Sequence, residues 1–201
     1  MKRIGLTQRV ETVPDYAERR DCLDQRWTEV LFGLGYLPVP LPNREDLLPA
    51  LLEELELTGV ILTGGNDLAC LAGTSNCAPE RDATEHRLLD LCSQRGLPVL
   101  GVCRGAQLMC VHYRGGLRPI QGHKATRHEV HGEEHRDSVN SFHVWGIHNA
   151  GPILKVLGRS PDDLVEAVRH PDLPQVGILW HPEREETLTR QDQALLEGLF
   201  G

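Results

Sequence analysis

Apolar positions along this chain recur with two alternating periods, one of strands and one of helices. Ile4 to Leu6 reads as a short strand, and Leu23, Trp27, Val30, Leu31 and Leu34 then fall on one face of a helix. Leu37 to Leu41 predicts a strand that its prolines confine to a sheet edge. Leu47, Leu48, Leu51, Leu52 and Leu55 make a second helical stripe, and Gly59 to Thr63 follows as an apolar, β-branched strand. A third helix, Asp82 to Gln94, ends near Gly96 with Pro98 just beyond. Val99, Leu100 and Val102 then form a buried strand, and Ala106, Gln107, Leu108, Met109 and Val111 the helix behind it. Such alternation predicts an α/β three-layer sandwich, a mostly parallel central sheet covered on both faces, with reactive groups at the carboxyl ends of its strands. Beyond Gly115 the pattern changes to short strands at Val130, Val139 to Val144, Leu154 to Leu157 and Val165 to Val168, which predicts a small antiparallel addition. Gln175 to Trp180 reads as one more strand.

Composition narrows this picture. A chain of 201 residues, 40% of them hydrophobic, fits a single domain over 1–201, and neither linker nor repeat interrupts it. The six cysteines form no Cys-x-x-Cys pair, so their spacing suggests neither a zinc site nor a disulfide framework and suits a reducing cytoplasm. No apolar run approaches the roughly 20 residues that span a bilayer. Met1-Lys2-Arg3 leads into a strand, not a signal-peptide core, so a cytoplasmic location without membrane association is expected. A net charge of −8 argues against general nucleic-acid binding, which rests on phosphate neutralisation.

Three short segments carry chemistry. Gly101-Val102-Cys103-Arg104-Gly105 puts one thiol on a sharp turn between strand and helix, where a side chain is exposed for attack. Glycines on both sides relieve the crowding of a strained backbone, and the free N–H groups at the helix start favour a thiolate. His181-Pro182-Glu183, at the end of the Gln175 strand, supplies an imidazole and a carboxylate to orient it, so Cys103, His181 and Glu183 are the candidate nucleophile, base and orienter. Thr63-Gly64-Gly65-Asn66-Asp67 ends another strand, and the N–H groups of Gly65 and Arg104 are candidates for an oxyanion hole.

In this order and spacing, Thr63 to Asp67, Gly101 to Gln107 and His181 to Glu183 resemble the class I glutamine amidotransferase-like enzymes, in their γ-glutamyl hydrolase branch. Arg81-Asp82 with Glu85, and Asn140-Ser141-x-His143, are secondary matches. The likeness runs from the first strand to about Arg184. It implies a flavodoxin-like fold and hydrolysis of a γ-glutamyl amide through a cysteinyl thioester, with no cofactor or metal. Leu6 to Arg9, Arg20-Asp21, Leu23 to Trp27, Pro38 to Asn43, Thr126 to Glu129 and Trp180 to Glu185 look like the amidotransferase-like proteins of bacterial surface-polysaccharide loci. That second likeness implies a nucleotide-linked substrate that yields glutamate and cytidine diphosphoramidate. Another γ-glutamyl conjugate, such as that of γ-aminobutyrate, or a glutaminase feeding ammonia to a partner synthase, stays open beside it.

The remaining candidates are substrate contacts. Gln107, four residues after Cys103 on the same helical face, is placed to reach a glutamyl group, as the resemblance implies. Asn140, Ser141 and His143 are candidates for the acceptor side of the pocket. Arg114, Arg118, Lys124, Arg127 and Arg136 cluster with His123, His128, His131 and His135, a set suited to a pyrophosphate. Glu129, Glu133, Glu134 and Asp137 are interspersed, so a solvated loop competes with that reading; Lys124, Arg127 and His128 are the residues to test. His131 to His135 matches a metalloprotease pattern by chance, because Gly132 and the missing apolar stripe deny it a helix. Arg81, Asp82 and Glu85 read as an ion-pair network at a helix start.

Overall fold

The structure, a computed structural model, describes every residue except 133–135. Its strands are β1 (Arg3–Leu6), β2 (Arg9–Val13), β3 (Glu18–Cys22), β4 (Leu37–Pro40), β5 (Leu57–Leu62), β6 (Val99–Val102), β7 (Gly116–Pro119), β8 (Lys124–His131), β9 (Arg136–Phe142), β10 (Trp145–Asn149), β11 (Lys155–Arg159), β12 (Val165–Arg169) and β13 (Gln175–Ile178). The helices are α1 (Arg26–Gly33), α2 (Leu48–Glu54), α3 (Pro79–Arg95), α4 (Arg104–His112) and α5 (Arg190–Phe200). The metalloprotease-like match at 131–135 falls largely outside the described residues, as do Glu133, Glu134 and His135 and the side chains of Arg136 and Asp137.

Five parallel strands in the order β4-β1-β5-β6-β13 form the centre. Alternation along each strand feeds a core on either face. Val60 and Leu62 point to the layer of α2, α3 and α4, which contributes Leu52, Leu88 and Met109. Ile61 points to the opposite layer, where α1 and α5 bring Trp27, Leu31, Leu196 and Phe200. The three-layer α/β reading therefore holds, with β4 at the expected edge. The antiparallel addition continues the same sheet through β12, β11, β8 and β9, with β10 and β7 alongside. Among the described residues no helix is long and apolar enough to cross a membrane.

Several boundaries differ from the sequence pattern. Leu23 precedes α1, which starts at Arg26. The β2–β3 hairpin is largely polar, so periodicity does not reveal it; it stands as a separate antiparallel pair. The segment around Val144 is split by a loop between β9 and β10, and α5 and β7 have no counterpart in the apolar pattern. Gly96 does close α3 in a left-handed conformation, φ +65°.

The site depends on the close approach of α4 to the sheet. A Cβ on Gly105 would lie 2.0 Å from the Leu62 carbonyl oxygen. Gly105→Ala therefore forces α4 away from β5; we expect a loss of about 1–3 kcal/mol or more, read as a lower urea midpoint with an unchanged m-value.

Candidate active site

Strands β6 and β13 are parallel neighbours, pairing Gly101 with Gly177 and Val102 with Ile178. Their carboxyl ends therefore deliver Cys103 and His181 to the same edge of the sheet. Cys103 donates its backbone N–H to Ile178 O at 2.8 Å and takes φ +53°, ψ −105°. Such a conformation costs a non-glycine residue about 1–3 kcal/mol. The strain thus falls on the cysteine itself, while the neighbouring Gly101 serves close packing: a Cβ there would meet Ala106 N at 2.8 Å.

His181 lies in line with this sulfur. Its Nδ1 is 2.7 Å from Glu183 Oε1, both side chains being buried, and the ring lines the same cavity as Cys103. Pro182 opens a single 3-10 turn, and this holds Glu183 under the ring. Gly64 packs against the imidazole, where a Cβ would come within 2.7 Å of Cε1, and Phe142 meets the ring edge-on at 5.7 Å. Burial alone would lower the His181 pKa; the charge and hydrogen bond of Cys103, then those of Glu183, outweigh it and push it up to about 9. A thiol, an imidazole and a carboxylate in series can move a proton off the sulfur and return it to a leaving group.

Gly65, at φ +86°, and the start of α4 flank Cys103. Both are held by a buried ionic cluster. Arg81 donates to Thr63 O at 2.7 Å, to Gly65 O at 2.6 Å and to Glu85 Oε1 at 2.8 Å. The Arg104 guanidinium pairs with Glu85 and Asp82. Arg81, Glu85 and Arg104 are all fully or almost fully buried. Burial and the adjacent Arg104 charge bring Arg81 down to about 10. Burial works to raise Glu85, but the two guanidiniums win and keep it below the ordinary carboxylate range. The expected network at the start of α3 is thus present, and Arg104, singled out for its backbone N–H, is its fourth member.

A cavity of about 130 Å³ opens beside Cys103 and is lined by Gly65, Asp67, Arg104, Gln107, His143 and Trp145 among others. Gln107 and His143 reach it as expected, Gln107 Nε2 donating to Trp145 O at 2.7 Å. Asn140 and Ser141 do not line it. Asn140 clamps the His181 backbone, accepting its N–H at 2.9 Å and donating to its carbonyl at 2.8 Å. Ser141 donates to His123 O at 2.6 Å. Lys124 and Arg127 are exposed and away from the cavity, with Arg127 bound to Glu185 at 2.9 Å and to Ser138 O at 2.8 Å. His128 turns instead toward Glu166, Nε2 to Oε1 being 3.4 Å. Sequence reasoning missed Arg184, which lines the cavity and lies over the Phe142 ring at 4.5 Å, and Asp67, whose carboxyl burial pushes up. Glu166 was also missed: it lies buried among His123, His128 and His143. Only its place in a strand of alternating apolar residues, β12, marked it as an inward-facing acid.

The peptidase C26 family profile matches residues 4–136 and 119–183 of this chain. The chain is 33% identical over 189 residues to a γ-glutamyl-CDP-amidate hydrolase of Campylobacter jejuni subsp. jejuni, covering 92% of each sequence. It is 30% identical over 216 residues to a γ-glutamyl-γ-aminobutyrate hydrolase of Escherichia coli O157:H7, covering 89% of this chain and 85% of that one. Its fold is similar to the crystal structure of a Thermoplasma acidophilum protein assigned to GMP synthase, with a TM-score of 0.70 at 20% identity, over 100% of this chain and 92% of the other.

Two outcomes follow from this geometry. Glu85→Ala leaves two buried guanidiniums without their shared carboxylate, and we expect about 3–5 kcal/mol of lost stability by chemical denaturation. His181 gains its partners on folding, so its stabilisation is complete below the unfolded value of about 6.5 and fades as pH rises through about 9. In an NMR titration the His181 imidazole should shift near pH 9 in the native chain and at a lower pH in Cys103→Ala, which lacks the strongest raising partner.

Proposed function

The chain belongs to the peptidase C26 family, and from that premise we propose that it hydrolyses a γ-glutamyl amide with Cys103 as nucleophile, His181 as acid and base, and Glu183 as orienter. The observation that carries this reading is the convergence of Cys103 and His181 on one cavity, with the His181 imidazole hydrogen-bonded behind it to the buried Glu183. Cys103 sulfur attacks the δ-carbonyl carbon of the glutamyl group, and the N–H groups of Gly65 and Arg104 receive the developing oxyanion. Collapse breaks the C–N bond, and the proton held on His181 goes to the leaving nitrogen. Water, deprotonated by the same imidazole, then attacks the γ-glutamyl thioester, releasing glutamate and restoring the thiol. Gln107, beside Cys103 on α4, contacts the glutamyl part, and the small cavity suits that part alone.

The leaving amine then extends outward past His181. We take it to be a nucleotide-linked phosphoramidate, as in the Campylobacter relative, whose identity extends over 92% of both chains. Two cations support this placement: Arg184 at the cavity wall and Arg9, which packs on Gly65. Guanidinium binds phosphate oxygens in bidentate fashion. They replace Lys124 and Arg127 as the pyrophosphate contacts, because those two side chains lie away from the cavity.

Glutamate release from γ-glutamyl-CDP-amidate, γ-glutamyl-γ-aminobutyrate and glutamine tests both levels of the proposal. We expect fastest release from the nucleotide conjugate, reduced at least about 10³-fold in Cys103→Ala. Equal release from the aminobutyrate conjugate would overturn the nucleotide assignment while leaving the hydrolase intact. Release from glutamine alone would point to an enzyme that supplies ammonia to a synthase, and activity surviving Cys103→Ala would overturn the mechanism.

A further inference from the structure

Four side chains that the mechanism does not use converge behind the cavity wall. His123 precedes β8, His128 lies in it, His143 sits between β9 and β10, and Glu166 lies in β12. His123 Nδ1, His128 Nε2 and His143 Nε2 stand 3.5, 3.4 and 3.7 Å from Glu166 Oε1. Among the described residues none of these atoms, nor Glu166 Oε2, has a hydrogen-bond partner, although all are shut off from water. His123, His143 and Glu166 are each at least nine-tenths buried. Leaving so many polar atoms unpaired in the interior costs more than the fold can readily carry.

The outer partners of the rings fix what faces inward. His143 Nδ1 is 3.0 Å from Trp145 O, a carbonyl that only accepts, so Nδ1 carries the hydrogen and a neutral ring presents the Nε2 lone pair to Glu166. His123 Nε2 is 3.2 Å from Asp162 Oδ2, which likewise turns the Nδ1 lone pair of a neutral ring inward. Asp162 is itself held by Ser160 Oγ at 2.6 Å. Lone pairs facing a carboxylate repel unless a proton or a metal cation lies between them. A carboxylate or a backbone carbonyl on the far nitrogen is also the usual support of a metal-ligating histidine.

We propose that His123, His143 and Glu166 bind one divalent transition ion of the zinc class, with His128 beside them, in a site separate from the Cys103 centre. A tetrahedral ion with bonds of about 2.0–2.1 Å sets its ligand atoms about 3.4 Å apart, close to the 3.5 and 3.7 Å that separate Glu166 Oε1 from His123 Nδ1 and His143 Nε2. Two imidazoles and a carboxylate make a donor set that suits zinc and disfavours magnesium or calcium. One carboxylate among the ligands and Asp162 outside them neutralise the divalent charge. Two imidazoles and a carboxylate hold the ion, and His128 Nε2, 3.4 Å from Glu166 Oε1, stands near it. It ties β12 to the segment before β8 and to the β9–β10 loop, which carries His143 to the cavity just ahead of Trp145 in β10.

The full chain, stripped with a chelator and titrated with Zn²⁺, should retain one equivalent per chain through gel filtration, and Co²⁺ should give the visible spectrum of a tetrahedral site. Glu166→Gln and His123→Ala should lose that equivalent. Asp162→Asn alters a half-exposed side chain outside the ligand set, leaves folding intact by circular dichroism, and should weaken Zn²⁺ binding about 10- to 100-fold. Cys103→Ala should bind Zn²⁺ like the native chain, so the result is independent of hydrolytic activity. No retained equivalent, an unchanged affinity in Glu166→Gln and Asp162→Asn, or loss of binding in Cys103→Ala would overturn the assignment.

Discussion

The ionic cluster of Arg81, Glu85, Arg104 and Asp82 is the constraint around which the site is assembled. Three of its members are buried charges, and removing any one strands the others in a medium that does not solvate them. Their geometry is therefore held tightly, and each charge also grips backbone. Arg81 grips the turn after β5 through the Thr63 and Gly65 carbonyls, and Arg104 fixes the first residue of α4. The two N–H groups assigned to the oxyanion lie on those same two pieces of chain. A charged cluster beneath the site thus does for the backbone what an apolar core does for side chains elsewhere, and it does so with direction.

Cys103 and His181, the proposed nucleophile and base, are placed by a different device. They follow β6 and β13, neighbouring parallel strands whose pairing runs to Val102 and Ile178, so sheet spacing, roughly 4.7–4.9 Å, sets how far apart their backbones stand. Asn140 then locks the His181 peptide from the antiparallel side of the sheet. The antiparallel strands are consequently a wall of the site as well as an extension of the sheet.

The fold was legible where its elements are strongly periodic: the stripes of α1 and α2 and the apolar runs of β5 and β6 face the core, whereas α3 and α4 also turn Arg81, Glu85 and Arg104 inward. The candidate site was legible at sharp backbone features, Cys103, Gly65 and His181-Pro182-Glu183, which the structure brings together. It was not legible where polar residues face inward. Asn140, Ser141 and His128 have types that suit a substrate, and only the tertiary structure sends them to the His181 backbone, the His123 carbonyl and Glu166. Polar hairpins and buried acids share this problem, since their partners are distant in sequence. Arg104 shows the converse: its backbone was readable from the turn, its side chain from nothing nearby.

Cys103 occupies a backbone shape that favours glycine, so losing the thiol would relax the chain. Selection for stability alone would therefore erode this position, and a relative that has abandoned the chemistry can become sturdier by a single replacement with glycine. A bulkier residue held in that shape leaves the fold short of the stability that its backbone would otherwise reach.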